Sequence, residues 1–156
     1  MAVQLAEKRP DLEPAADTRA AYRHFQRIPT RWGDNDIYGH VNNVVYYSYF
    51  DTVVNTYLIE KGVLDIHYSP VIGLAVESLC RFMKELTYPE TIEAGLRVSR
   101  LGNTSVRYEI ALFSEGDDEP AATGYFVHVY VDRKSRKPVP VPDAMRNVLK
   151  KIQTDG

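Results

Sequence analysis

Apolar and polar positions along this chain of 156 residues change their period several times, and each change predicts an element. From Tyr22 to Trp32, "YRHFQRIPTRW" predicts a first strand. Pro29 cannot donate to a ladder, so that strand is expected at an edge or a bulge. The next run, Asn43 to Lys61, is almost wholly apolar and aromatic. Val44, Val45, Tyr46, Tyr47, Tyr49, Phe50, Val53, Val54 and Tyr57 suit a strand on propensity alone. The run is too long for a strand, however. Asn42 or Asn43 can accept a first-turn N–H, and Gly62 supplies a left-handed residue past the end, so a buried helix is expected.

Alternating runs follow. Val71–Leu86 sets Ile72, Leu74, Val76, Ser78, Cys80 and Phe82 on one side, and "ETIEAGLRVSRL" does the same with Ile92, Ala94, Leu96 and Val98. Gly102-Asn103 turns the chain into "TSVRYEIALF", with Val106, Tyr108, Ile110 and Leu112 on one face. After "EGDDEP", the last run alternates Tyr125, Val127, Val129 and Val131. "PDAMRNVLKKIQ" then spaces Met145, Val148, Leu149 and Ile152 as a helix does, with Pro142 suited to its first turn. The economical packing is α+β: a curled, antiparallel five-stranded sheet wrapped around a long central helix, plus a C-terminal amphipathic helix.

Length and composition narrow the class. The chain suits one domain, expected over residues 19–156, after a flexible tail at 1–18 that mixes charge, Ala and Pro without an apolar face. A net charge of -2 argues against nucleic-acid binding. No apolar stretch reaches the roughly 20 residues needed to span a membrane, and no signal peptide is visible, so a cytoplasmic protein without a membrane partner is expected. The single Cys80 forms no intrachain disulfide and reads as a small buried apolar residue.

The chemistry concentrates in "GDNDIYGHVNN", Gly33 to Asn43. An EF-hand loop fails, because its fifth and twelfth positions would be Tyr38 and Val45. Asp34, Asp36 and His40 could begin a metal site, but no second His/Asp cluster completes it, and His24, His67 and His128 are scattered. The remaining reading uses the start of the helix. Its first N–H groups and its dipole favour negative charge, and a carboxylate a few residues upstream can face the same point. That is the minimum kit for acyl transfer. Gly39 lets the backbone approach a ligand. The plainer alternative is that both aspartates cap turns.

"RWGDNDIYGHVNNVVYYSYFD" resembles the signature of the hotdog-fold acyl-CoA thioesterases of the 4-hydroxybenzoyl-CoA thioesterase family, D-x-D-x-x-G-(H/V)-V-(N/x)-N/H-x-x-Y. The similarity runs from about Phe25 to Arg133 through "YPETIEAGLRVSRLGNTSVRYEI". It implies a hotdog fold and hydrolysis of a thioester of coenzyme A, or of acyl carrier protein, to free acid and thiol, without a cofactor or metal. By the resemblance Asp36 is the nucleophile or general base, and Asp34 is structural. The backbone N–H groups of Asn43 and Val44 polarise the thioester carbonyl. Gly39, His40, Asn42 and Tyr46 meet the substrate, and Glu77 is a further acid to place. Arg81, Lys84, Arg133, Lys134 and Arg136 are candidates for the coenzyme A phosphates. The resemblance also implies self-association to a dimer or tetramer. The alternative of another class is a non-catalytic acyl-CoA or small-ligand binding hotdog protein.

Overall fold

The computed structural model describes residues 18–154, so the expected tail lies outside the described residues except for Thr18. A short 3-10 turn (Arg19–Ala21) leads into β1 (His24–Pro29), and a second (Trp32–Asp34) precedes α1 (Asn43–Glu60). Then come β2 (Val71–Phe82), β3 (Thr91–Leu101), β4 (Ser105–Ser114), β5 (Ala122–Asp132) and α2 (Asp143–Lys150). The strands form one antiparallel sheet in the order β1-β3-β4-β5-β2, with α1 packed against it, which is the hotdog fold. Pro29 closes β1, an edge strand, as its missing N–H requires.

α1 is a helix because both ends are capped and its large residues repeat at helical spacing. The Asn42 side chain accepts from the Val44 N–H at the start. At the other end Gly62 (φ 74°) donates to Ile59 O at 2.9 Å and Val63 to Leu58 O at 3.1 Å, a Schellman stop. Tyr46, Tyr49, Phe50, Val53, Val54, Tyr57 and Leu58 form one buried stripe, while Asn43, Val44, Ser48 and Asp51 stay exposed. The helix is therefore buried on the face turned to the sheet rather than all round. Each fully buried side chain of this kind contributes about 1.5–3 kcal/mol. Gly124 of β5 sits tight between β2 and the helix, where an added Cβ would collide with Leu79 O and stand 2.6 Å from the Phe50 ring.

β3 and β4 turn the expected residues inward: Ile92, Ala94, Leu96, Val98, Val106, Tyr108, Ile110 and Leu112 are all fully buried. Two other strands correct the alternation. In β5 the helix-facing set is Ala122, Gly124, Phe126, His128 and Tyr130, not Tyr125, Val127 and Val129. The register decides this, since it pairs Tyr108 with Phe126 and Ile110 with Gly124, and cross-strand partners share a face. In β2 a bulge between Ala75 and Glu77 shifts the parity, so Ser78, Cys80 and Phe82 face inward as expected but Ile72, Leu74 and Val76 do not. Leu74 to Ser78 are exposed along the free edge of β2. Met145, Leu149 and Ile152 seat the α2 segment on the core. Among the described residues no helix is long and apolar enough to cross a membrane.

Candidate active site

The polar cluster folds into a small hairpin. Gly39 N–H donates to Asp36 O at 3.1 Å, Asp36 N–H to His40 O at 2.9 Å, and Asn35 bridges to Val41. Gly39 holds φ 84°, the left-handed position after such a turn, where a side chain would be strained. Asp36 opens the turn, and its Oδ1 accepts the Tyr38 N–H at 2.9 Å. That bond fixes the carboxyl group. The carboxylate is half-buried, and Asp36 lines an open cleft of about 410 Å³ together with Trp32, Asn35, Ile37 and Gly39. Trp32 and Ile37 on its wall are 82% and 93% exposed, and Tyr88 meets the Trp32 ring edge-on at 5.9 Å.

Asp34, two residues earlier, faces inward at 1% exposure. Its Oδ2 accepts the Arg31 N–H at 2.9 Å and the Tyr49 hydroxyl at 2.7 Å, and its Oδ1 accepts the Arg31 guanidinium at 3.0 and 3.1 Å. Burial alone would raise this carboxyl. The Tyr49 hydroxyl and the Arg31 donors outweigh it and hold the group below the usual carboxylate range. The Asp34 carbonyl also accepts the Asn42 N–H at 2.9 Å, so this residue ties the hairpin to the start of α1.

At that start the N–H groups are unequally engaged. Val44 N–H donates to Asn42 Oδ1 at 3.2 Å and Val45 N–H to Asn42 O at 2.9 Å. The Asn43 N–H, just ahead of them, has no acceptor among the described residues. Asn42 therefore acts as the helix cap. Tyr46 is 2% exposed and packs edge-on against Phe82 at 4.9 Å, and it does not line the cleft. Burial pushes its phenol up to about 12, against a Leu86 backbone N–H that lowers it.

The segment between β2 and β3 holds the hairpin from behind. Leu86 O accepts the Val41 N–H at 2.8 Å, Thr87 Oγ1 donates to Gly39 O at 2.8 Å, and Asn35 Oδ1 accepts the Tyr88 N–H at 3.0 Å. His40 Nε2 meets Glu85 Oε2 at 2.9 Å. Sequence reasoning missed Glu85 and Thr87, because they lie some distance along the chain and nothing in their spacing advertises the contact.

Other candidates fall elsewhere. Asp34, Asp36 and His40 do not converge on a metal position, and among the described residues no three His, Cys, Asp or Glu side chains do. Burial pushes the Cys80 thiol up to about 12, which disfavours the thiolate. Glu77 is exposed on β2, where, after burial, it helps to raise the Tyr125 phenol. Lys84 is taken by Asp117 and Glu119, and Arg133 by the carbonyls of Asp65, Ile66 and Ser69.

A capped helix packed on a curled sheet, with a carboxylate turn at the helix start, defines a class that comparison with known proteins identifies. The chain belongs to the thioesterase-like superfamily, whose family model matches residues 30–149. The PA5185 protein of Pseudomonas aeruginosa strain PAO1, known from a crystal structure, is 58% identical over 88% of this chain and 96% of its own, with a TM-score of 0.86. The protein YsmA of Bacillus subtilis (strain 168) is 24% identical over 87% of this chain and 91% of its own. The gentisyl-coenzyme A thioesterase BH1999 shares the fold at 20% identity and a TM-score of 0.72, over 81% of this chain and 99% of its own.

Proposed function

We propose that this protein is an acyl-CoA thioesterase of the 4-hydroxybenzoyl-CoA thioesterase type, with Asp36 as its reacting carboxylate. One observation carries the reading. Asp36 lines an open cleft a few residues upstream of a helix start whose first N–H, that of Asn43, has no acceptor among the described residues. The superfamily supports a thioester substrate. The gentisyl-coenzyme A thioesterase, similar in fold, supports coenzyme A as the thiol carrier.

In the reaction the thioester carbonyl oxygen lies at the start of α1. The Asn43 N–H, with the helix dipole behind it and the Val44 N–H shared with Asn42, stabilises the oxyanion as the carbonyl carbon becomes tetrahedral. As general base, Asp36 takes a proton from water while the water oxygen bonds to that carbon. As nucleophile, its own oxygen forms the bond, giving a mixed anhydride that water then hydrolyses. In both routes the C–S bond breaks, the sulfur leaves as thiolate and takes up a proton, and the free acid remains. Single turnover in ¹⁸O-labelled water distinguishes the general-base route, which labels the product acid, from an anhydride opened by water at the Asp36 Cγ, which leaves the product unlabelled and puts the label on Asp36.

Purified protein mixed with a panel of aliphatic and aromatic acyl-CoAs, with released thiol followed by a colorimetric reagent, tests the proposal. Turnover of at least one substrate, lowered at least about 100-fold by Asp36→Asn, is expected. Tight binding of acyl-CoA with no thiol release across the panel would make it a binding protein instead.

A further inference from the structure

We infer that Glu85, through its contact with His40, is a positioning residue for the reaction at Asp36. The inference rests on the proposed thioesterase function. Glu85 Oε2 lies 2.9 Å from His40 Nε2, and the two side chains are 17% and 40% exposed. An exposed ion pair would carry little weight. This contact sits beside two others from the same segment that fasten the same turn.

His40 is joined to Asp36 through the backbone: its carbonyl accepts the Asp36 N–H at 2.9 Å. Its neighbours on both sides are pinned to the same connecting segment as Glu85, Gly39 O by Thr87 Oγ1 at 2.8 Å and Val41 N–H by Leu86 O at 2.8 Å. Of these three consecutive residues, only His40 is held to the segment by its side chain. Glu85 thus completes a clamp on the strand of the hairpin that sets the Asp36 backbone, and hence the direction of its carboxylate. A displacement of about 1 Å in a reacting group can cost up to about 100-fold in rate, so a clamp of this kind matters to turnover more than to folding.

The test compares Glu85→Ala, Glu85→Gln, His40→Ala and the Glu85→Ala/His40→Ala double variant with the unmodified protein, on its best acyl-CoA, with kcat, KM and melting temperature read for each. Glu85→Ala is expected to lower kcat about tenfold or more, within the penalty for misplacing a reacting group, with KM unchanged within about twofold. Glu85→Gln keeps an acceptor for the imidazole N–H and is expected to restore most of kcat. The double variant is expected to be no worse than His40→Ala, because the two side chains act as one unit.

A kcat for Glu85→Ala equal to that of the unmodified protein would overturn the inference. So would a loss confined to KM, a lowered melting temperature with kcat intact, a loss that Glu85→Gln shares in full, or fully additive losses in the double variant. These outcomes leave the thioesterase reading standing. Absence of turnover in the unmodified protein overturns that reading, and this inference with it.

Discussion

Exchanging each of the two neighbouring aspartates for Asn separates reaction chemistry from architecture. In Asp36→Asn the amide oxygen still accepts the Tyr38 N–H, now at 2.9 Å from Oδ1, so the turn keeps its bond and only the charge is lost. Surface substitutions of this kind stay within about 0.5 kcal/mol, or roughly 2 °C in melting temperature for a chain of this size. Turnover is expected to fall at least about 100-fold, the lower range for a positioned general base. Asp34→Asn should behave in the opposite way. Its carboxylate takes the Arg31 N–H and the Tyr49 hydroxyl on one oxygen and the Arg31 guanidinium on the other. An amide has one acceptor oxygen and must turn its NH2 group toward donors. The Arg31 side chain is 77% exposed, so its share of the loss is small. The buried Tyr49 bond and the backbone N–H dominate. Together they make a loss of about 2–4 kcal/mol, or about 5–15 °C. Steady-state kinetics and thermal melting of both variants, on the best substrate of the acyl-CoA panel, give the answer. Near-normal turnover in Asp36→Asn, or a larger loss of turnover in Asp34→Asn than in Asp36→Asn, would refute the assignment of Asp36.

Other outcomes follow from the same geometry. Gly124→Ala drives a Cβ into Leu79 O and to 2.6 Å from the Phe50 ring, so it should destabilise by about 3 kcal/mol, seen as a melting temperature roughly 6–12 °C lower. Burial lowers His128 from 6.5 to about 4, so the folded state excludes a proton that the unfolded chain binds below 6.5. Stability is therefore lost as pH falls from about 6.5 toward 4, with His24, also lowered by burial, acting in the same sense, and melting of His128→Gln should show a flatter pH dependence across that window. Trp32→Ala, which strips the exposed wall of the cleft, should raise KM by up to about tenfold while the melting temperature stays put. The free β2 edge and the exposed Trp32, Ile37, Tyr38 and Val44 lead us to expect self-association, and a sedimentation mass near the single-chain 17.8 kDa at micromolar concentration would rule it out.

How much of this was legible in the sequence depends on whether the deciding contact was local. The ends of α1 were legible, because Asn42 and Gly62 each act within one turn of their own position. So was the inner face of β3 and β4, where Ile92, Ala94, Leu96 and Val98, and then Val106, Tyr108, Ile110 and Leu112, fall at every second position and all are buried. The inner face of β5 was not. Its two sides are nearly equally apolar, so composition cannot choose between Val127 and His128, and only the register with β4 does. The first half of β2 failed for a different reason: one extra residue near Val76 reverses the parity, and no residue type marks that bulge.

The candidate site divides along the same line. Asp36 and Gly39 announce a turn because an Asp side chain and a left-handed glycine act on backbone groups two or three residues away. The reading of Asp34 as structural came only from resemblance. Its physical cause, a hydroxyl from Tyr49 reaching across from the helix, becomes visible once Tyr49 is known to point inward with the rest of the buried stripe. Glu85 and Thr87 are further still from the hairpin in sequence, and they reach it because β2 ends at Phe82 and the chain folds back under the helix start before β3. Within the hotdog fold, then, the turn that carries the carboxylate we propose as reactive is written locally. The clamp that aims it is written by the topology of the sheet.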